Sequence, residues 1–315
     1  MNFYAELSPY KLEILKNNIL RTLLYYDIFS HPLKAEEIFT FLPRNSIAKE
    51  EVKSLLREFS IDSTSRFAEK EGYYYIKPFE ENIAKRILRE NYSKKMWKAV
   101  SFVTHIIKRF PFVKAVMITG SLSKNSSDQT SDLDFMVITS EGRLWIARTL
   151  LMLFKKIFLF NSYKYFCINY FITESHLEIE EKNIFTATEI ATIKAAYNSD
   201  LMNEFINKNQ WINNYFPNYI LCDPKLHKSE FKINNRKNYL QKVFELFFSG
   251  SFGSKLNERL MRMTIKHWNK KYPNIDETER NHMFKSTINV SKTHPGNMQK
   301  KILHMYDDKL KEFNL

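Results

Sequence analysis

The sequence predicts an α/β chain, more strictly α+β, with a mixed sheet and flanking helices set between two largely helical ends. Three observations carry that prediction. Apolar, β-rich runs at 111–119 ("PFVKAVMIT"), 132–139 ("DLDFMVIT") and 163–173 ("YKYFCINYFIT") are separated by stretches of helical period. The first 77 residues read as three helices and a hairpin, and the region after 200 reads as helix after helix. The 315 residues are 44% hydrophobic and 15% aromatic, enough to fill a sizeable core, with only six Gly and nine Pro to interrupt it. That length suits two or three domains, and the expected divisions are 1–95, 96–200 and 201–315.

Taken in order, 8–29 is a helix with Leu12, Leu15, Ile19, Leu20, Leu23 and Leu24 near a 3.6-residue period. In "SHPLKAEEIFTFLP", Ser30 can cap, Pro32 suits a first turn, 35–41 is a short helix and Pro43 stops it. A third, amphipathic helix covers 45–60, capped by Ser46, with Glu50 and Glu51 just beyond the ideal capping-box spacing. The stretch 65–77 is a β-hairpin turning at Glu71-Gly72. Helix, helix, helix, hairpin resembles a winged helix, which implies DNA contact by the third helix through Lys49, Lys53 and Arg57. Glu50, Glu51 and Glu58 on the same helix oppose a phosphate backbone, so a packing or protein-contact role stays open. Residues 79–110 and 142–158 are helical, and 189–198 opens helical material that continues through 241–250 and 256–271.

The formal net charge is +13, and residues 201–315 hold 20 Lys and Arg against 11 Asp and Glu. Such a balance favours polyanions, though interspersed charges also describe an ordinary solvated surface. Cys167 and Cys222 form no C-x-x-C pair, so a disulfide framework and a structural zinc site are not expected, and Cys167 reads as a small core residue. The N-terminus lacks the pattern of a signal peptide, and 144–160, the longest apolar candidate, is broken by Arg148, Lys155 and Lys156. A cytoplasmic protein with no membrane contact is the expectation.

The chemistry is concentrated in "VMITGSLSKNSSDQTSDLDFMVIT" (116–139). Side chains alternate along a strand, so Asp132 and Asp134 share a face opposite Leu133 and Phe135. Two carboxylates about 7 Å apart repel by roughly 2–3 kcal/mol at an effective dielectric near 20. A divalent cation relieves that repulsion, and hard oxygens suit Mg²⁺. Gly120 allows a tight turn at the end of the first strand, Ser121 and the following amides can face a phosphate, and Lys124 stands nearby.

An apolar strand, Gly-Ser, a spacer of about ten residues and Asp-apolar-Asp on the next strand resemble the nucleotidyltransferase superfamily, the DNA polymerase β-like fold. The match lies in "MITGS", "LSKNSSDQTS" and "DLDFMVI", with support from the elements over 110–200. Together with the winged-helix-like start, it resembles poorly characterised bacterial nucleotidyltransferase-domain proteins. The resemblance implies transfer of a nucleoside monophosphate from a nucleoside triphosphate to an acceptor, with release of pyrophosphate. It implies phosphate binding by Gly120, Ser121 and Lys124, and Mg²⁺ (or Mn²⁺) at Asp132 and Asp134. The acceptor stays open among small molecule, carbohydrate, protein and RNA, and a nucleic-acid contact through the winged helix or the basic C-terminal region stays open too.

The family's third carboxylate, on a later strand, is missing from "YKYFCINYFIT". Asn169 stands near its centre, with Cys167 and Phe171 expected on the same face. Asn offers a metal one neutral oxygen but accepts no proton as a base. Glu174 is the better candidate to reach back from the strand end, and Glu178 the second. Asn169 therefore keeps an alternative alive, a non-catalytic nucleotide-sensing or DNA-binding regulator on a degenerate core. His176 and His294 read as structural, and Trp211, Tyr215 and Phe216 as core rather than base-stacking residues.

Overall fold

A computed structural model describes residues 9–43, 48–162, 164–221 and 238–315; the caps expected of Ser46 and the residue Cys222 lie outside them. The apolar stripe of the first helix folds as α1 (Pro9–Asp27), with Leu15, Ile19, Leu20, Leu23 and Leu24 buried. α2 (Ala35–Phe41) begins where the Lys34 amide donates to Glu37 Oε2 at 2.9 Å. α3 (Lys49–Ile61) begins two residues later than a cap at Ser46 would place it, and the Ala48 amide donates to Glu51 Oε2 at 3.1 Å. Glu51 thus caps Ala48 from three residues ahead, the spacing a capping box requires.

β1 (Phe67–Lys70) and β2 (Tyr73–Ile76) form the expected hairpin. Its turn takes Glu71 to φ 56° and Gly72 to φ 80°, the two left-handed positions that suit strand twist. Leu33 bridges to Tyr74, so the segment between α1 and α2 adds one rung to the hairpin. α4 (Asn82–Ile107) is tied to this unit by Arg86, a buried guanidinium that bonds Glu37 Oε1 at 2.8 Å and Glu90 Oε1 at 2.9 Å.

Next come β3 (Val113–Ile118), the short α5 (Gly120–Ser123), β4 (Asp134–Thr139), α6 (Leu144–Phe158) and β5 (Cys167–Thr173). α7 (Ile184–Thr192) leads to β6 (Lys194–Tyr197) and α8 (Ser199–Lys208). After two 3₁₀ turns, α9 (Tyr239–Phe247), α10 (Ser251–Lys271) and α11 (Glu277–Met283) precede β7 (Val290–Lys292) and α12 (Met298–Glu312).

The five-stranded sheet has the order β6-β3-β4-β5-β7, with β4 and β5 parallel and the other neighbours antiparallel. α6 makes the crossover that a parallel β4–β5 pair requires. Alternation splits each strand between two cores. Val116, Ile118, Phe135 and Val137 pack under α4 and α6, against Val100, Ile107, Trp145 and Leu151. Ala115, Met117, Met136 and Ile138 face the other way, toward α1, α7 and α12.

Two strands depart from the sequence reading. The helix expected over 189–198 ends at Thr192, and 194–197 pairs with β3 as an edge strand. "KAAY" has little strand propensity of its own, so the open edge of β3 decides it. β7 comes from the region expected to be wholly helical and pairs with β5. The expected divisions at 95 and 200 are not breaks in packing. One apolar cluster holds Leu15 and Phe41, Met136 and Ile172, and Val290 and Ile302, drawn from all three segments. No helix among the described residues is long and apolar enough to cross a membrane.

Candidate active site

The site forms where β3 runs out beside the start of β4. The Thr119 amide donates to the Asp134 carbonyl at 3.1 Å, which holds the two strand ends together. Gly120 then turns at φ +65°, and a Cβ built on it falls 2.4 Å from Asp134 Oδ2. Only glycine both adopts that conformation readily and leaves room for the carboxylate. Ser121 Oγ lies 2.9 Å from Ser127 Oγ, and Lys124 Nζ donates to the Gly120 carbonyl at 3.1 Å. The structure therefore brings Gly120, Ser121, Lys124 and Asp134 to one place, all on the wall of one cavity.

Asp134 is the first residue of β4, and Asp132 sits just before the strand, with Leu133 buried between them on the opposite face. Burial pushes the Asp134 carboxyl up to about 6; a bond from the Cys167 thiol opposes this, Asp132 and Glu189 add to it, and Lys124 counteracts it. The effect of Asp132 is the repulsion anticipated from the sequence. Burial and the neighbouring Asp134 push the Cys167 thiol up in turn, so Cys167 is a protonated donor beside the site rather than an inert core residue.

Asn169 reaches Asp134 by a route the sequence does not display. Phe135 pairs with Ile168, but Met136 pairs with Tyr170, so β5 carries one extra residue at Asn169. This bulge breaks the alternation. Asn169 Nδ2 donates to Asp134 Oδ1 at 3.0 Å, and both Asn169 and Tyr170 line the cavity. Phe171, expected on the face of Cys167 and Asn169, turns instead into the core under α4 and α6.

Glu174 does not belong to the cluster. The strands are parallel, so Asp134 pairs with Cys167 at one end while Thr139 pairs with Thr173 at the other, roughly 16 Å away at the usual rise. There the Glu174 amide donates to the Thr139 carbonyl and its carboxylate meets Lys114 at 3.4 Å. Glu178 pairs with Lys182 at 2.7 Å and is also away from Asp134 on the polar surface beside Glu174. Both follow the end of β5 that lies away from Asp134. Among the described residues, no group of three or more His, Cys, Asp or Glu is arranged to hold a metal ion. Asp134 and Asn169 line the cavity with Gly120; Asp132 is not among the lining residues, and its charge acts on Asp134 as one of the influences that raise that carboxyl's pKa.

Two glutamates that line the cavity are Glu181 and Glu189, and Glu189 of α7 holds Lys124 Nζ at 2.8 Å. Sequence reasoning passed over it, although it is the single charge in the otherwise uncharged helix "IFTATEIAT". The cavity has a volume of about 450 Å³. The sheet and α7 form its floor and one wall; Tyr25, Tyr26, Phe29 and His31 from the N-terminal unit form another; Lys292 and His294 close a third. His294, expected from the sequence to be structural, stands in this wall, where burial lowers its imidazole to about 4.

Phe216 is buried with its ring edge-on to Phe41 at 5.3 Å, and Trp211 and Tyr215 bond Asn209 and the Lys182 carbonyl, which fits the core role expected of them. On α3, Lys53 is held by Glu36 at 3.1 Å and Glu50 at 3.6 Å, while Lys49 and Arg57 are exposed. Compared with protein-family models, with curated proteins and with solved structures, the chain matches none.

Proposed function

We propose that the chain is a magnesium-dependent nucleotidyltransferase that moves a nucleoside monophosphate from a nucleoside triphosphate to a hydroxyl-bearing acceptor and releases pyrophosphate. The observation that carries this reading is the seating of the Asp134 carboxylate over Gly120, in the space a Cβ would fill. A turn that can bear no side chain, a buried acid against it, a second acid two residues before the strand and a lysine one helical turn on make a cradle for phosphates and a cation. The donor set fits one Mg²⁺ held jointly with substrate, because that ion takes one or two carboxylates plus phosphate oxygens and keeps several waters.

In this reading Asp132 and Asp134 hold the cation, with Asn169 orienting Asp134 through its 3.0 Å bond. A bound cation supplies neutralisation of the triphosphate oxygens. Ser121 and the backbone after Gly120 bind phosphate oxygens, and Lys124 adds a positive charge from its bridge with Glu189. The acceptor hydroxyl gives its proton to water as its oxygen bonds to the α-phosphorus, the bond to the bridging oxygen breaks, and pyrophosphate leaves. The chain's part is to align those oxygens and keep them in a partly dry cavity, where fixed charges act strongly.

One observation favours a second reading, nucleotide sensing without turnover. The groups that bond Asp134 from β5 are the Asn169 amide, which accepts no proton, and the Cys167 thiol, which donates one. Release of pyrophosphate from each NTP with Mg²⁺, across a panel of acceptors, separates the two. Transferase activity requires release that Asp132→Ala and Asp134→Ala each abolish. Release that survives in both variants contradicts the proposal.

A further inference from the structure

The cavity extends well beyond the groups that would hold a triphosphate. From Asp134 it runs past Asn169, whose carbonyl accepts the Thr293 amide at 2.9 Å, to His294 and Lys292. Across from them stand the rings of Tyr25, Tyr26 and Phe29 at the end of α1. We propose that this far half is the acceptor pocket, and that it takes a small, uncharged, hydroxyl-rich molecule with an apolar face, such as a sugar ring, rather than a polymer end or an ionic metabolite. The proposal rests on the nucleotidyl-transfer reading and names the acceptor class that reading leaves open.

Charge is the first argument. The wall's lysine and carboxylate, Lys292 and Glu181, pair with each other, and Lys285 and Glu180 outside the lining extend the network. Lys292 lies 3.5 Å from Glu181, and Lys285 lies 2.6 Å from Glu180 and 3.9 Å from Glu181. An anionic or cationic acceptor entering here would lose its hydration and find each ion already paired, which disfavours it. His294 is uncharged at neutral pH, because burial holds its imidazole down near 4.

The second argument is the mixture of surfaces. The end of α1 offers aromatic faces, with Tyr25 edge-on to Tyr26 at 5.4 Å and to Phe29 at 5.8 Å. Against this apolar surface the lining sets the polar side chains of His294, Asn297 and Gln299. Apolar rings with a few hydrogen-bonding groups form the usual lining of a small-molecule site. A sugar ring offers both an apolar face and hydroxyls.

Saturation-transfer NMR on the full chain, loaded with Mg²⁺ and the α,β-methylene analogue of each NTP in turn, tests this with glucose, a glucose monophosphate and an oligoadenylate as probes. The expected result is transfer to glucose, weakened roughly tenfold in Phe29→Ala and in His294→Leu, as loss of one close ring or wall contact implies. Transfer to the nucleotide stays as in the unaltered chain. Phe29 lies at the rim, so its truncation spares the fold. Preference for the monophosphate or the oligoadenylate overturns the acceptor assignment alone. So does nucleotide contact without glucose contact, or glucose contact that both variants leave intact. Absence of nucleotide contact in the unaltered chain overturns the transferase reading, and this assignment with it.

Discussion

Replacing Asp134 by Asn is expected to stabilise the folded chain at pH 7.5 in the absence of metal. The folded carboxyl has its pKa raised to about 6 from an ordinary 3.8, chiefly by burial. The native state therefore binds this proton more tightly than the unfolded state does. The stability this contributes is complete below pH 3.8 and is lost as pH rises through about 6. A shift of this size, at 1.36 kcal/mol per unit, makes the ionised group unfavourable to the fold by about 3 kcal/mol at pH 7.5. Asn carries no charge and keeps an oxygen for the bond now made by Asn169 Nδ2. Urea unfolding followed by circular dichroism, in chelator, is expected to show Asp134→Asn more stable by about 1–3 kcal/mol at pH 7.5. At pH 4 the two chains are expected to agree within about 0.5 kcal/mol. A variant less stable at pH 7.5, or a gain that persists at pH 4, refutes the reasoning. A carboxylate that weakens its own fold is characteristic of a functional site, where stability is given up for a charge in the right place.

Three further outcomes follow from the same geometry. Gly120→Ala places a Cβ 2.4 Å from Asp134 Oδ2 at φ +65°, so it is expected to lower stability by about 2 kcal/mol, and Gly120→Ala/Asp134→Ala to recover part of that loss, read by urea unfolding. Arg86→Met leaves Glu37 and Glu90 without their buried cation and is expected to lower stability by about 3–5 kcal/mol, read by thermal unfolding. Glu174→Gln removes only a half-exposed pair with Lys114; nucleotide affinity measured by calorimetry is expected to stay within about twofold and stability within about 1 kcal/mol.

What was legible in the sequence was local. The hairpin at Glu71-Gly72, the stripe of α1 and the strand–turn–strand around Gly120 all follow from short-range pattern, and each forms close to where it was expected. What was not legible depends on partners distant in the chain. "KAAY" becomes a strand because β3 has a free edge, and "VSK" because β5 has one. The bulge at Asn169 is invisible to a period-two count, which is why Phe171 was placed on the wrong face. The parallel pairing of β4 with β5 sets Glu174 at the far end from Asp134, and no spacing rule reports strand direction. Glu189, His31 and His294 reach the cavity from three separate segments, and only Glu189 left a trace, as a lone acid in an apolar helix. Lys53 shows the same limit, since its partner Glu36 comes from the preceding helix.

The central claim is that Gly120, Asp132 and Asp134 form a working site for a metal-bound nucleoside triphosphate. Calorimetric titration with each NTP, with and without Mg²⁺, tests it most directly, comparing the unaltered chain with Asp132→Asn/Asp134→Asn. The account predicts binding of at least one NTP that requires Mg²⁺ and is lost in the double variant. Binding indifferent to Mg²⁺, binding retained by the double variant, or no binding of any NTP would contradict it.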